Sequence, residues 1–280
     1  MIFIFRIHVS FLFLLFLLFS LSKDLTALGS DKELVLATTT SVENSGLLDV
    51  LLPIFEKQTD IRVKVLAVGT GQALRLASEG NADIVITHSK KAEEKFVGEG
   101  HGIKRIPFMR NRFILVGPGN DPAGLKQTET VVDAFKSISA SGAIFISRGD
   151  QSGTHQKELE LWGVAKIKPK GEHYFETGAG MEATLFMANE KQGYILADEG
   201  TFESIAAKIS LERLYAGDKL LDNIYSVIAV NPTLHKEINA AGAQQFVLFL
   251  TKNIEAGNLI EKFKRTRDGR PLFNFIPTDS

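Results

Sequence analysis

The sequence predicts an α/β fold of two lobes, each built on a mixed, mostly parallel sheet flanked by helices. Three observations carry that prediction. Short apolar runs rich in β-branched residues alternate with stretches of helical periodicity along most of the chain. Two similar apolar strands, at 112–122 and 225–232, each end in Pro and small polar residues and bracket a second alternating block. Several strands run into loops of Thr, Ser and Gly that open helices, and open α/β sheets bind ligands at such strand ends.

In chain order, "ELVLATT" (33–39) reads as a buried strand, and "NSGLLDVLLPIFEKQTD" follows with helical periodicity. Pro53 lies within that helix and is expected to kink or divide it. "RVKVLAV" (62–68) is the next strand, and "GTGQALRLASEG" (69–80) a helix stopped at Gly80. "ADIVITHS" (82–89) and "KAEEKFVGEG" repeat the pattern. "RFILVGPGNDP" makes the first crossover. "AIFISRGD", a helix at 153–162, "HYFETGAG", a helix near 180–191 and "GYILADEGTF" fill the central block, and "YSVIAVNP" makes the second crossover. The stretch from "HKEINAAG" to "LIEKF" is helical. This layout expects lobe I from 31–113 plus 226–280 and lobe II from 114–225, with a hinge near 113–117 and 226–230.

Residues 1–22, "MIFIFRIHVSFLFLLFLLFSLS", carry Arg6, a Leu/Phe run to Leu21, and the small residues Ser20 and Ser22. They read as a secretory signal peptide, with cleavage after Ala27 as an alternative. The run also approaches the roughly 20 residues of a membrane span, but the small-residue site and the polar stretch after it favour cleavage and no membrane insertion afterwards. The chain has no cysteine, so neither a lipidated N-terminal Cys nor a disulfide is expected, and the exported part relies on its core. Removing Arg6 from 32 basic residues leaves 31 against 33 acidic ones, a balance that offers nothing to nucleic acid or anionic membrane.

Four loops carry the candidate chemistry: "TTTSVENSG" (38–46), "GTGQ" (69–72), "SRGDQSGTH" (147–155) and "TGAGM" (177–181). The first turn of a helix has unsatisfied N–H groups and partial positive charge, Gly lets an anion approach, and Ser and Thr add neutral donors. One such loop is an ordinary cap, whereas four at corresponding strand ends suggest an anion site. Arg148 supplies a fixed charge with a planar fork of donors, and Asp150 would orient it. Ser152 or Ser147 with His155 and Asp150 also admits a hydrolase reading, although the G-x-S-x-G elbow is missing. The RGD at 148–150 admits an adhesive one. The six His are dispersed and no Cys is available, so no cation site is expected.

"LATTTSVENSGLLDVLLPIFEK", "VLAVGTGQALRLASEGNADIVITHS", "SRGDQSGTHQKELELW", "ETGAGMEATLFMANEKQGYILAD" and "VIAVNP" together closely resemble the periplasmic tungstate-binding proteins of bacterial tungstate ABC importers. The resemblance implies a type II periplasmic-binding-protein fold, a monomer with no enzymatic activity and no cofactor, which closes two lobes on one tetrahedral oxyanion, tungstate or also molybdate. It also implies a periplasmic location and a membrane permease as partner. By position it implies ligand contacts from Thr39, Thr40 and Ser41 in the first lobe, and from Arg148, Ser152, Gly153 and Thr154 in the second. Gly69, Thr70, Ser89, Gly178 and Gly180 are further candidates. Phosphate-binding proteins of the same superfamily carry a related Arg-x-Asp-x-Ser-Gly-Thr loop, so phosphate, like sulfate, stays open at this point. They place a carboxylate in the first lobe to accept a ligand proton, where this chain has Thr87, His88 and Ser89. A buried carboxylate would repel an unprotonated dianion, so that difference favours an oxyanion with no proton to donate.

Overall fold

The longest strand joins the two halves of the molecule. In the computed structural model, which describes residues 32–278, β4 (Ile106–Gly117) is shared between two sheets. Its first half pairs antiparallel with β9 (Asp222–Ala229), and β10 (Asn274–Phe275) pairs with Arg110 and Met109 on its other side. Its second half, Phe113–Val116, pairs with β7 (Ile195–Asp198), and β8 (Glu212–Tyr215) pairs with Leu115–Gly117. The segment predicted as a signal peptide lies outside the described residues.

The first sheet continues from β9 through β3 (Ile84–Thr87) and β1 (Glu33–Thr39) to β2 (Arg62–Val68). β1 runs parallel to both neighbours, with Thr39 opposite Val68 and Thr38 opposite Ile86, so three strands deliver their carboxyl ends to one edge. A strand paired on both sides and covered on both faces reads as a continuous apolar run, which is why "LVLA" does not alternate. Leu34, Leu36, Phe55, Phe108, Tyr225 and Phe246 are among its fully buried packing residues. Phe55 meets Phe246 edge to face at 4.8 Å, tying helix α2 (Leu48–Thr59) to α9 (Ala240–Lys252).

The second half has its own core, in which Phe135 on α5 (Val131–Ser141), Phe145 on β5 (Phe145–Ser147) and Trp162 on α6 (Gly153–Val164) interlock. β5 pairs parallel with β6 (Tyr174–Glu176), placing Ser147 opposite Glu176, and a bridge from Phe145 to Tyr194 links this pair toward β7. α7 (Met181–Lys191) and α8 (Glu199–Ile205) complete the layer.

Local sequence explains two helix boundaries that periodicity did not place. The helix expected from Asn44 to Asp60 divides at Gly46, where φ is +77° and its N–H caps Glu43 O, giving α1 (Thr40–Ser45) and then α2. Pro53 lies inside α2 without dividing it. The C-terminal helical stretch splits at Asn253, whose side chain accepts from Glu255 N and Ala256 N and so starts α10 (Ile254–Lys262).

After α10 the chain forms a short hairpin in which Thr266 N donates to Arg270 O at 2.9 Å. It docks on α8 of the other half. Glu199, 1% exposed, accepts from Arg213 at 3.1 Å and from Arg270 at 2.8 Å, while Asp268 accepts from the same two arginines. Arg267 pairs with Glu203 at 3.3 Å and lies over the Phe202 ring.

Candidate functional site

On the first-lobe side, the loops after β1, β2 and β3 emerge together because of the strand register. Thr38 Oγ1 donates to Ile86 O at 2.9 Å and fixes β1 to β3 at this edge. Thr39 caps α1, its hydroxyl accepting from Val42 N, and lies 2.9 Å from Ser41 Oγ. Ser41 Oγ in turn lies 3.2 Å from His88 Nε2. Thr40 is exposed on the first turn of α1. Gly69 caps α3 (Thr70–Ser78) with extended backbone and no side chain, and Thr70, 3% exposed, opens that helix beside the Thr39 loop.

A chain of amides fixes the polarity of this edge. Asp198 Oδ2 accepts from Asn111 Nδ2 at 2.8 Å, which leaves Asn111 Oδ1 to accept from Asn223 Nδ2 at 2.8 Å. Asn223 Oδ1 then accepts from His88 Nδ1–H at 2.9 Å, so His88 Nε2 is the acceptor for the Ser41 hydroxyl. Burial holds the His88 imidazole below its ordinary pKa. The Asp198 and Glu93 charges and the Asn223 bond pull the other way, and Arg148 adds to the lowering. His88 is therefore a neutral imidazole at pH 7, held at both nitrogens.

The second-lobe side is built on β5 and β6. Arg148 leaves the end of β5, its Nη2 paired with Asp150 Oδ2 and its Nε donating to Ala179 O at 3.3 Å. Burial alone would raise the pKa of Asp150, but the Ser152 hydrogen bond and the adjacent guanidinium outweigh it and hold the carboxyl below its usual range. Gly149 adopts φ +61°, and a Cβ there would fall 2.6 Å from Glu176 Cβ, so the central residue of the RGD must be Gly. Ser152 caps α6 by accepting from His155 N at 3.3 Å. Among the described residues, Arg148 Nη1, the Thr70 and Thr154 hydroxyls, and the N–H groups of Gly153 and Thr154 have no hydrogen-bond partner in the protein.

The two sides meet. Ser89 Oγ donates to Gln156 Oε1 on α6 at 2.7 Å, and the His88 ring lies against Gly153. Thus the 147–155 loop meets the end of β3, with the 38–46 loop joined to it through Ser41 and His88 and the 69–72 loop beside that one by strand register. The 177–181 loop braces the 147–155 loop: Gly178 N donates to Arg148 O at 2.8 Å, and Gly180 caps α7. Ser89 serves as a tie between the lobes. Its N–H goes to Glu93, a buried carboxylate on α4 (Lys90–Gly98) that also accepts from Thr87 and Arg105. The pairing of His88 with Asn223 escapes a reading by motif because the two residues are 135 apart in sequence.

The hydrolase arrangement is not assembled. His155 Nδ1 accepts from Gln151 N at 3.0 Å, and Nε2 lies 3.8 Å from Glu176, so the ring orients neither Ser152 nor Asp150. Arg148 and Asp150 side chains are 12% and 19% exposed, too enclosed to present an adhesive RGD. No cluster of His, Cys, Asp or Glu among the described residues could hold a metal ion.

Two cores on one shared strand, with donor-rich loops brought together where the halves meet, define a two-lobed solute-binding protein. The chain matches the PBP superfamily domain over residues 26–253. It is 49% identical over 242 residues to the tungstate-binding protein TupA of Peptoclostridium acidaminophilum, covering 86% of this chain and 84% of that one. Its fold is similar to the tungstate ABC transporter structure from Geobacter sulfurreducens, with TM-score 0.76 and 44% identity, covering 82% of this chain and 98% of that one. The tungstate-binding protein TupA from Desulfovibrio alaskensis G20 gives TM-score 0.78 and 40% identity, covering 88% and 99%. The chain belongs to the PBP superfamily and, within it, to the family of these tungstate-binding proteins. Its relatives are binding proteins, and the chain is not an enzyme.

Proposed function

We propose that this protein captures tungstate between its lobes outside the cytoplasm and delivers it to the membrane permease of an ABC importer. The ligand is the tungstate oxyanion itself, with no cofactor, and molybdate, of the same charge and shape, enters the same cleft. The observation that carries the reading is the donor set of Arg148, Gly153 and Thr154 facing the Thr39–Ser41 and Thr70 loops, with Asp150 held on the guanidinium. Donors to an ionised acceptor contribute roughly 1.5–3 kcal/mol each, so a handful of them supports nanomolar affinity once closure and desolvation are subtracted. The neutral His88 and the Ser89 hydroxyl stand where related phosphate-binding proteins have a carboxylate, which supports an unprotonated dianion over hydrogen phosphate. The 1–22 segment supports export, and a monomer is the simplest form that opens and closes about β4 and β9.

Calorimetric titration of the protein with tungstate, molybdate, sulfate and phosphate tests this directly. Tungstate and molybdate are expected to bind tightly; tight phosphate binding with no tungstate response sinks the proposal. Arg148→Ala is expected to lose about 3 kcal/mol or more of tungstate affinity with an unchanged unfolding midpoint, since it removes a fixed charge and its fork of donors.

A further inference from the structure

His88 is packed into the seam between the lobes in a way its ligand-donor neighbours are not. A Cβ built on Gly153 would fall 2.8 Å from His88 Cε1 and 3.1 Å from Nδ1, so the ring occupies the space that a side chain at 153 would need. The ring cannot swing aside cheaply. Asn223 holds Nδ1 at 2.9 Å, Ser41 lies 3.2 Å from Nε2, and Tyr225 packs at 4.8 Å between ring centroids. Asn223 is itself anchored to Asn111 on the shared strand. The first lobe therefore presents a braced, flat surface to the turn that opens α6, where Gly153 and Thr154 offer their N–H groups. Packed interiors resist compression, and overlap of this kind forces side chains and backbone to shift.

We infer that the His88–Gly153 contact is the spacer that sets how far the lobes close, and so selects the larger tetrahedral oxyanion, tungstate, over the smaller sulfate. The inference rests on the oxyanion reading above and adds a specificity-determining residue that donates nothing to the anion. With the ring in place, α6 stops at a fixed distance from the Ser41 and Thr70 loops, and a smaller anion cannot touch both walls at once. Without it, the second lobe advances and the cleft fits a smaller tetrahedron.

The test is a double-mutant cycle read by calorimetry with tungstate and sulfate. His88→Ala is expected to lower the tungstate-over-sulfate affinity ratio about tenfold, in the range that one small steric change in a fitted pocket supports. Gly153→Ala should weaken tungstate binding about tenfold by holding the lobes apart, and the double variant should recover most of that loss. His88→Gln, which keeps a polar partner for Asn223 but thins the spacer, should shift the ratio the same way and serves if the alanine variant does not fold. Wild-type tungstate binding with an unchanged ratio in the His88 variants, or with no recovery in the double variant, overturns the spacer. A wild-type protein that takes no tungstate overturns the functional reading itself.

Discussion

Glu158 shows how much a single buried group can govern. It sits on α6 with its Oε1 accepting from Tyr174 at 2.7 Å and Trp162 at 3.2 Å, one turn past the residues that face the cleft. Burial pushes its carboxyl up from 4.5 to about 7, against the hydrogen bonds of Ser147, Tyr174 and Trp162. The folded chain thus holds this proton more tightly than the unfolded chain does. Its contribution to stability is fully present below about pH 4.5, falls as pH rises, and levels off above about pH 7, a swing of about 3 kcal/mol. Glu158→Gln cannot ionise, so the wild-type stability relative to this variant should drop by about that amount between pH 4 and pH 8, measured by denaturant unfolding. Equal pH dependence in both proteins would show that Glu158 is not the group responsible. At this scale the sequence marked out a candidate wall in the second lobe, because Arg148, Ser152, Gly153 and Thr154 carry oxyanion-binding chemistry in one loop. His88 was legible only by its place in the loop after β3; its partners Ser41, Asn223 and Gly153 are brought to it by the fold.

Elements were legible where burial is symmetric and obscure where polar residues enter a strand. β1 and β2 begin and end with their apolar runs, but β4 extends six residues before Arg112, where the run was expected to start. Arg110, Asn111 and Arg112 hid it. Arg110 reaches Asp222 at 3.7 Å, and Asn111, 2% exposed, belongs to the buried amide chain. Patterns of apolar residues cannot foresee a buried polar network that satisfies itself. The hairpin at 265–271 was equally hidden, since what holds it is Glu199 on a distant helix. Removing that acceptor leaves Arg213 and Arg270 to share Asp268. Glu199→Ala should therefore raise tryptic cleavage after Arg265 and Arg267 about tenfold, as local opening of the hairpin becomes easier. An unchanged cleavage rate would mean that the docking rests on packing alone.

At the scale of the whole molecule, the two cores differ in how the chain assembles them. The core around Phe135 and Trp162 draws on residues 113–221, a continuous stretch. The core around Phe55 and Phe246 needs residues 34–109 together with 225–273. Its sheet is ordered β10-β4-β9-β3-β1-β2, so β9 is an interior strand flanked on both sides. Pairing Ile84 with Ala229 closes a loop of well over a hundred residues, and such pairings are slow because the closure entropy precedes the reward. Pulse-labelled hydrogen exchange during refolding should find amides of β5 and β7 protected before those of β1 and β3; simultaneous protection would contradict this order. A chain is synthesised from its amino end. By the arrangement of β9, the first sheet to be started is the last to be completed, and β1 to β3 must wait with unpaired edges until residue 229 has been made. The interval between those two moments is when this protein is most exposed to aggregation, and its length is set by the size of the inserted lobe.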